Sequence, residues 1–498
     1  LQKFYILIFP ANFEDKIGFS QIRQMISDNC ISEMGLTRVE KMQFVTEYER
    51  LKKWLGQVEE FRQILMFGRT FPAQNYFNLI PDLQRIAVPG THILPESLFD
   101  LKTSIQSIYD VIKYIQQLDE NRFPQLRELI VDVELDDTIL KEADRIMDER
   151  GRVRNNASAK LMEIRKRLSR LEGESERIVH DLLIDARKNG WANPNDEATI
   201  RNGRLVIPVP ATHKRKIRGF IQDESSSGQT VYIEPAQSLE INNEIRELEN
   251  DEKREIIKIL LAFTEFLRPF APAVIEAYSF LGLIDFIRAK AQLALKLNAG
   301  LPILNPFPVV QWWEARHPLL YLAHLKQKRD IVPLEIKLTP EQRILIISGP
   351  NAGGKSVCLK TVGLLQYMLQ CGLLVPMRET SEVGIFKDMF IDIGDEQSIE
   401  DDLSTYTSHL RNMKILLQKA GKNSLFLIDE LGSGTEPQLG GSIAEVILEN
   451  VNSKNAFGVV TTHYSNLKLL AEKTEGLVNG AMLFDTKQMQ PLFMLRIG

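Results

Sequence analysis

The sequence predicts a multidomain fold: an all-α core and lever carrying a small β clamp tip, followed by an α/β domain built on a phosphate-binding loop. Three observations predict it. A charged middle third carries two long heptad-like seams, a compact stretch between them has the strand period, and from about Leu301 apolar strands alternate with amphipathic helices. The 498 residues set a prior of about three domains, and a hydrophobic fraction of 44% is enough for several cores. A formal net charge of −5 argues against a generally basic protein that coats nucleic acid, so a polyanion would have to meet a local basic patch.

Residues 1–118 read as a helical N-terminal core domain of short helices and loops, with no evident chemistry. The run "FYILIF" is too short to span a bilayer or to form a signal segment. Cys30, Cys358 and Cys371 are widely spaced, and no histidine forms a CxxC- or HxxH-like pair. The expectation is buried thiols in a reducing cytosol, no zinc site and a cytoplasmic location without a membrane. The chain opens on Leu1, which fits a trimmed sequence.

Residues 119–190 form the outgoing lever. Leu161, Ile164, Leu168, Leu171, Ile178 and Leu182 follow three-and-four spacing, interrupted at Ser175. The β tip, 191–236, has an Asn202-Gly203 turn signal and two strand-like runs in "RGFIQDESSSGQTVYIEP". The returning lever, 237–300, has the seam Ile241, Ile245, Leu248, Ile256, Leu260, Phe263 and Leu267, with Glu252 as its polar break. Ser175 and Glu252 lie about equally far from the tip, which predicts an antiparallel arm with the two polar residues facing each other. An ordinary helical domain with a hairpin is the alternative.

Residues 301–498 carry the chemistry. "RILIISGP" is a strand running into Gly349-Pro350-Asn351-Ala352-Gly353-Gly354-Lys355-Ser356, a GxxxxGK[ST] loop before the helix containing Leu359 to Leu369, and Gly349 through Val357 are the candidate nucleotide-binding residues. Its backbone N–H groups and the helix dipole suit phosphate oxygens, Lys355 suits the β- and γ-phosphates, and Ser356 suits Mg²⁺. The strand "LFLIDE" ends in paired acids: Asp429 fits the Mg²⁺ shell, and Glu430 fits activation of the attacking water. His463 closes the next strand, either to bond the γ-phosphate or as a satisfied structural histidine. The predicted substrate and cofactor are ATP and Mg²⁺, in an α/β P-loop ATPase domain of ABC type. The closing "GLVNGAMLFDTKQMQPLFMLRIG" reads as a hairpin. In the tip, Lys214, Arg215, Lys216 and Arg218 put four cations in five residues, a candidate contact for nucleic-acid phosphates; the alternative is a solvated charged hairpin.

Domain order narrows the class. Chromosome-condensation ATPases split the phosphate loop from the carboxylates by a coiled coil, and transporter-type ATPases carry an LSGGQ-like signature. Here "GPNAGGKSVCLKTVGL", "DIGDEQSIEDDLSTYTSHL", "DELGSGTEP" and "TTHY" closely resemble MutS-type ATPases. "RLVIPV", "IQDESSSGQTVYIEP" and "EINNEIRELE" resemble the lever and clamp of the second bacterial branch, the MutS-two paralogues.

The resemblance implies a homodimer with composite ATP sites, Ser404 reaching in from the other chain, and His317 of "ARHPLL" on the adenine side. Read locally, Ser404 or Thr405 is also a good N-cap for the helix through Leu417. "IVPLEI" departs from the family pattern near Leu334, where a short polar residue is usual. The resemblance also implies two classes of client: branched recombination DNA, and stalled, collided ribosomes with their ribosomal RNA. The mismatch-reading Phe-x-Glu module of the repair enzymes is not seen before the lever; Phe263-Thr-Glu265 sits on the helical seam and reads as core. The branch usually continues into a C-terminal Smr nuclease domain. The sequence stops at Gly498 before any such segment, so the expectation is either a trimmed sequence or an ATPase that does not itself cut nucleic acid. The rivals are a nuclease of the same family, a mismatch-binding repair ATPase, and a scaffold whose ATPase has decayed.

Overall fold

The computed structural model describes residues 6–498 apart from 69, 73, 75, 132, 134, 351–352, 395–404 and 486–489. The chain divides into two compact units. One comprises Leu1–Tyr76, Ser107–Val133 and Ser279–Gly498, and the other Phe77–Gln106 and Glu134–Tyr278.

The first unit is built on a seven-stranded sheet. Its strands run, from one edge, Ile8–Phe9, Asp388–Asp392, Ser424–Ile428, Phe457–Thr461, Gln342–Ser348, Gly476–Asp485 and Gln490–Ile497. All neighbours are parallel except the last pair, which forms the closing hairpin. Every residue of Ser424–Ile428 and Phe457–Thr461 is buried, the continuous apolar pattern of parallel strands covered on both faces. A second sheet of four short strands spans Ile303–Asn305, Val310–Ala315, Leu334–Leu338 and Glu382–Gly384.

The N-terminal segment departs from the expected separate helical domain 1–118. Ile8–Phe9 is an edge strand of the large sheet, paired with Met389–Phe390. The helices Phe13–Ile17 and Phe19–Ser27 pack on the phosphate-loop helix, Lys355–Gln370. Tyr367 of that helix is the hub: its ring lies 4.7 Å from Phe19 and 5.4 Å from both Phe13 and Phe44, and its hydroxyl donates to Glu14 Oε1 at 2.7 Å. The dividing points fall after residues 76 and 106, not at 118. Apolar spacing shows that such helices bury a face, but not which partner they bury it against.

The second unit contains two long helices, Ala159–Lys188 and Ala236–Leu267, packed along each other. Between them in the chain lies an antiparallel sheet ordered Thr199–Arg201, Arg204–Pro210, Thr230–Pro235, Gly219–Glu224. Asn202 and Gly203 both take positive φ at its first turn. Val179, Leu183 and Ala186 pack with Ile207, Val209, Val231 and Ile233 beneath the sheet.

Two details of the arm differ from expectation. Ser175 does not interrupt the seam; it is buried within it, and the stripe continues through Val179, Leu183 and Ala186, not Ile178 and Leu182. The steps from Leu171 to Ser175, Val179 and Leu183 are each four residues, so the buried stripe drifts with the natural 3.6-residue turn instead of holding a strict heptad. Nor do Ser175 and Glu252 meet. Ser175 donates to Asn242 Oδ1 at 2.8 Å, and Glu252 accepts from Arg165 Nε at 2.7 Å. Side-chain reach, and not equal counting from the tip, decides which residues oppose. Phe263 is buried, consistent with a core role.

The three cysteines are free thiols, with Cys358 and Cys371 buried and Cys30 half-buried. One stretch of the described residues, Ala236–Leu297, is long and apolar enough to cross a membrane, and 56% of its most apolar window is buried within the protein.

Candidate active site

Four parallel strands deliver functional residues to one sheet edge. Gln342–Ser348 ends in the glycine loop, Ser424–Ile428 in Asp429 and Glu430, Phe457–Thr461 in Thr461, Thr462 and His463, and Asp388–Asp392 in Asp392. In an open parallel sheet this C-terminal edge is where ligands bind, because the following helices turn their N-termini toward it.

Gly354 is the N-cap of the phosphate-loop helix with φ of 90°, a conformation open to glycine and strained for a side chain. Gly349, Pro350 and Gly353 complete the described part of the loop, and the Gly353 N–H donates to the Pro350 carbonyl at 3.0 Å. Lys355 is buried and its pKa is lowered, chiefly by desolvation, against the pull of Glu430 and Asp429. Its ammonium donates to the Gly349 carbonyl at 2.8 Å and lies 3.1 Å from His463 Nε2. With Lys355 charged, His463 Nε2 must accept, which places the imidazole proton on Nδ1. His463 Nε2 is 3.9 Å from Glu430 Oε1, so lysine, histidine and glutamate form one line. Ser356 and Val357 are exposed at the helix start.

Glu430 takes φ of 51°, in the left-handed region that a non-glycine residue enters at a cost of about 1–2 kcal/mol. Neighbouring bonds hold it there. Its N–H donates to Thr461 Oγ1 at 2.7 Å, that hydroxyl donates to Asp429 Oδ1 at 2.5 Å, and its carbonyl accepts from Ser433 N–H at 2.9 Å. One threonine therefore orients both acids. Downstream, the "LGSG" loop lies against the helix Pro437–Ser453, where a Cβ on Gly432 would come 2.6 Å from the Gly440 carbonyl.

Asp392 was not among the sequence-derived candidates. It is buried and accepts from Asn412 Nδ2 at 2.9 Å, with His409 Nδ1 at 2.7 Å, both on the helix Thr405–Lys419. Its backbone carbonyl accepts the Asp429 N–H at 2.8 Å. The pair thus ties that helix to the carboxylate strand. The only signal in the sequence was an acid closing an apolar strand, "MFID"; Thr461 was signalled as weakly by "VVTTH".

The remaining predicted residues stand as follows. Asn351, Ala352 and Ser404 lie outside the described residues. His317 caps the helix Pro318–Gln327, its Nδ1 accepting from Leu320 N–H at 3.3 Å. Burial, with Lys360 of the phosphate-loop helix nearby, pushes its pKa down to about 4, so the ring is neutral. In the second unit, Lys214, Arg215, Lys216 and Arg218 are exposed on the connection between the strands Arg204–Pro210 and Gly219–Glu224. No ion pair engages them among the described residues. Sequence reasoning missed the buried carboxylate near them: Glu234 accepts from Arg204 at 2.7 Å, Gln222 at 2.6 Å and Asn242 at 2.8 Å, joining the sheet to the returning helix.

The donor set suits Mg²⁺. That ion takes one or two protein oxygens and fills its shell with phosphate and water; an exposed serine hydroxyl and a half-buried carboxylate meet that need. No cluster of three His, Cys, Asp or Glu side chains suited to a metal occurs among the described residues.

The family model described as MutS domain V matches residues 345–498. A protein named Endonuclease MutS2 from Geobacillus sp. is 34% identical over 486 residues, covering 97% of this chain and 61% of the relative. Its namesake from Finegoldia magna is 34% identical over 484 residues, 97% and 60% of the two chains. That from Carboxydothermus hydrogenoformans is 38% identical over 382 residues, 77% and 48%. The chain spans about three fifths of the length of the curated relatives that match it over nearly its whole extent.

Proposed function

This chain belongs to the MutS family, related to its MutS2 members, and on that footing we propose that it is an ATP-hydrolysing dimeric clamp that binds structured nucleic acid. What supports the reading from the comparisons is the match of residues 345–498 to the model described as MutS domain V and the likeness to proteins named Endonuclease MutS2. The observation that carries the reading is the line of Lys355, His463 and Glu430 beside Asp429 at one sheet edge.

On this proposal, ATP phosphates enter the glycine loop and meet the backbone N–H groups and the positive end of the phosphate-loop helix. Lys355 exchanges the Gly349 carbonyl and His463 for the β- and γ-phosphate oxygens. His463, released, turns to the γ-phosphate. Glu430, fixed by its unusual backbone, orients and deprotonates the attacking water. Ser356 and Asp429 would hold Mg²⁺, which when bound neutralises charge on the phosphates. Ser404 would complete the site of the other chain, and His317 would lie on the adenine side. The exposed cations Lys214, Arg215, Lys216 and Arg218 would neutralise backbone phosphates, reading shape and not sequence.

Two clients fit this chemistry: branched recombination DNA, and ribosomal RNA on collided ribosomes. The test measures ATP hydrolysis with each, against linear duplex and single ribosomes as controls. Stimulation by one branched or collided substrate above its control supports the clamp, and equal rates with all four refute it. The relatives' name attaches endonuclease activity to proteins of which this chain spans about three fifths. The proposal for these 498 residues is the ATP-driven step.

A further inference from the structure

In the first unit, away from the phosphate loop, a cleft of about 470 Å³ opens between the loop Met42–Glu47, the helix Tyr48–Phe67 and the helix Ala271–Leu297. Its volume lies within the range of small-molecule sites. Its charge is one-sided: Arg38, Lys41, Arg50 and Lys290 line it against a single carboxylate, Glu47. Glu47 is spent on Arg50, 3.8 Å away, which leaves three cations with no ion-pair partner among the described residues.

Lys290 is the unusual member. It is 4% exposed, and its ammonium donates to the carbonyls of Cys371 and Gly372 at 2.9 and 3.2 Å. Those carbonyls end the phosphate-loop helix, whose negative dipole end favours a cation. The nitrogen also sits 4.2 Å from the Phe286 ring centroid and 5.7 Å from that of Trp54. Two carbonyls and two rings do not replace a counter-ion, and an unneutralised buried charge is costly. Burial lowers its pKa to about 7. Trp54 and Phe286 are each only partly buried and line the cleft, with the Arg50 guanidinium 4.6 Å from the Trp54 ring centroid.

We propose that this cleft binds a small planar organic anion, its ring against Trp54 and Phe286 and its charge met by Lys290, Arg50 and Arg38. The site is separate from the phosphate loop, yet it touches the far end of the same helix. An anion there would supply the missing counter-charge at the C-terminus of the helix that begins with Lys355.

Pyridoxal 5′-phosphate is a suitable probe because it is planar, anionic and carries an aldehyde. In the full chain at pH 8, the uncharged Lys290 amine attacks the aldehyde carbon, water leaves and an imine forms. Borohydride then delivers hydride to that carbon, the nitrogen takes a proton from water, and the label is fixed as a secondary amine. Peptide mapping locates it, with Mg-ATP present throughout to shield Lys355. The expected result is labelling of Lys290 at about tenfold lower probe concentration than surface lysines. Pyridoxine 5′-phosphate, which lacks the aldehyde, should compete for it. Arg50→Ser should raise the half-saturating concentration about tenfold, the loss of one charged contact. Labelling of Lys290 no better than that of surface lysines overturns the site. So does labelling that neither the competitor nor Arg50→Ser alters. The labelling and competition use the unmodified chain, and Arg50 lies on the exposed rim, so the test does not depend on a core substitution.

Discussion

At the residue scale, the proposed chemistry rests on Glu430 and on the threonine that holds it. Glu430→Gln should lower ATP turnover by roughly 10²–10⁴-fold with nucleotide binding intact, whereas Lys355→Ala should weaken binding itself. Nucleotide binding and single-turnover hydrolysis separate the two, and normal turnover in Glu430→Gln would remove it from the catalytic role. Thr461→Val keeps the shape and deletes the hydroxyl, leaving the Glu430 N–H unpaired and Asp429 without its donor. The expected cost is about 1–3 kcal/mol of stability, read from denaturant midpoints, together with a fall in turnover that exceeds any change in binding. Lys290 makes a prediction about pH. Its folded pKa of about 7 lies below the ordinary lysine value of 10.5. Between those values the unfolded chain binds the proton and the folded chain does not, so this group's penalty shrinks as pH rises from about 7 toward 10.5. The groups around it are the Cys371 thiol, the carbonyls of Cys371 and Gly372, Trp54, Phe286 and the cleft residues Arg38, Lys41, Glu47 and Arg50. Lys290→Met should therefore be more stable than the parent at pH 7 and should lose part of the rise in urea midpoint between pH 7 and 9.5. An identical pH slope in both would show that Lys290 carries no such burden.

At the scale of elements, the antiparallel arm and the β module were legible because turn chemistry and periodicity agree there. Asn202-Gly203 forms the turn its residues favour, between the antiparallel strands Thr199–Arg201 and Arg204–Pro210. The phase of the helical stripe was legible only as far as Leu171. Beyond it, a serine that reads as a break is a buried member of the seam, because Asn242 on the opposing helix satisfies its hydroxyl. The connection carrying Lys214, Arg215, Lys216 and Arg218 yields a salt prediction. If all four meet duplex phosphates, neutralising them should weaken binding to every sequence alike and flatten the plot of log affinity against log salt by about 3–4 per engaged arm. An unchanged slope in a folded variant would place the polyanion elsewhere.

At the scale of the whole molecule, a shared ATP site is the proposal with the sharpest consequence. Lys355→Ala would disable one phosphate loop, and Ser404→Arg would block one incoming helix start. In a mixed dimer, one composite site collects both defects and the other collects neither. Random mixing makes about half the dimers mixed, each with one intact site, so roughly a quarter of parental activity should return, as counted from a two-fold interface. If Ser404 serves its own chain, both sites of the mixed dimer are dead. ATP hydrolysis by each inactive variant and by their re-equilibrated mixture distinguishes the two, with subunit exchange checked independently.

The sequence by itself determined where the glycine loop and the paired acids lie along the chain and on which kind of element. A glycine loop between strand and helix, and two acids closing a buried strand, are local patterns whose physical purpose is local too. It also determined that two long helices bracket a small antiparallel sheet, since turn residues and periodicity act over a few positions. Tertiary structure alone decided what those segments meet. Ile8–Phe9 joins the large sheet beside a strand some 380 residues later in the chain, a hydrogen-bonding choice with no local signature. Thr461 holds Glu430, Asp392 anchors His409 and Asn412, and Lys290 caps the phosphate-loop helix, each through atoms brought close only by folding. Periodicity records which face of an element is buried. Its partner is set by packing and by the need to satisfy every buried polar group, and that is decided only when the whole chain is in place.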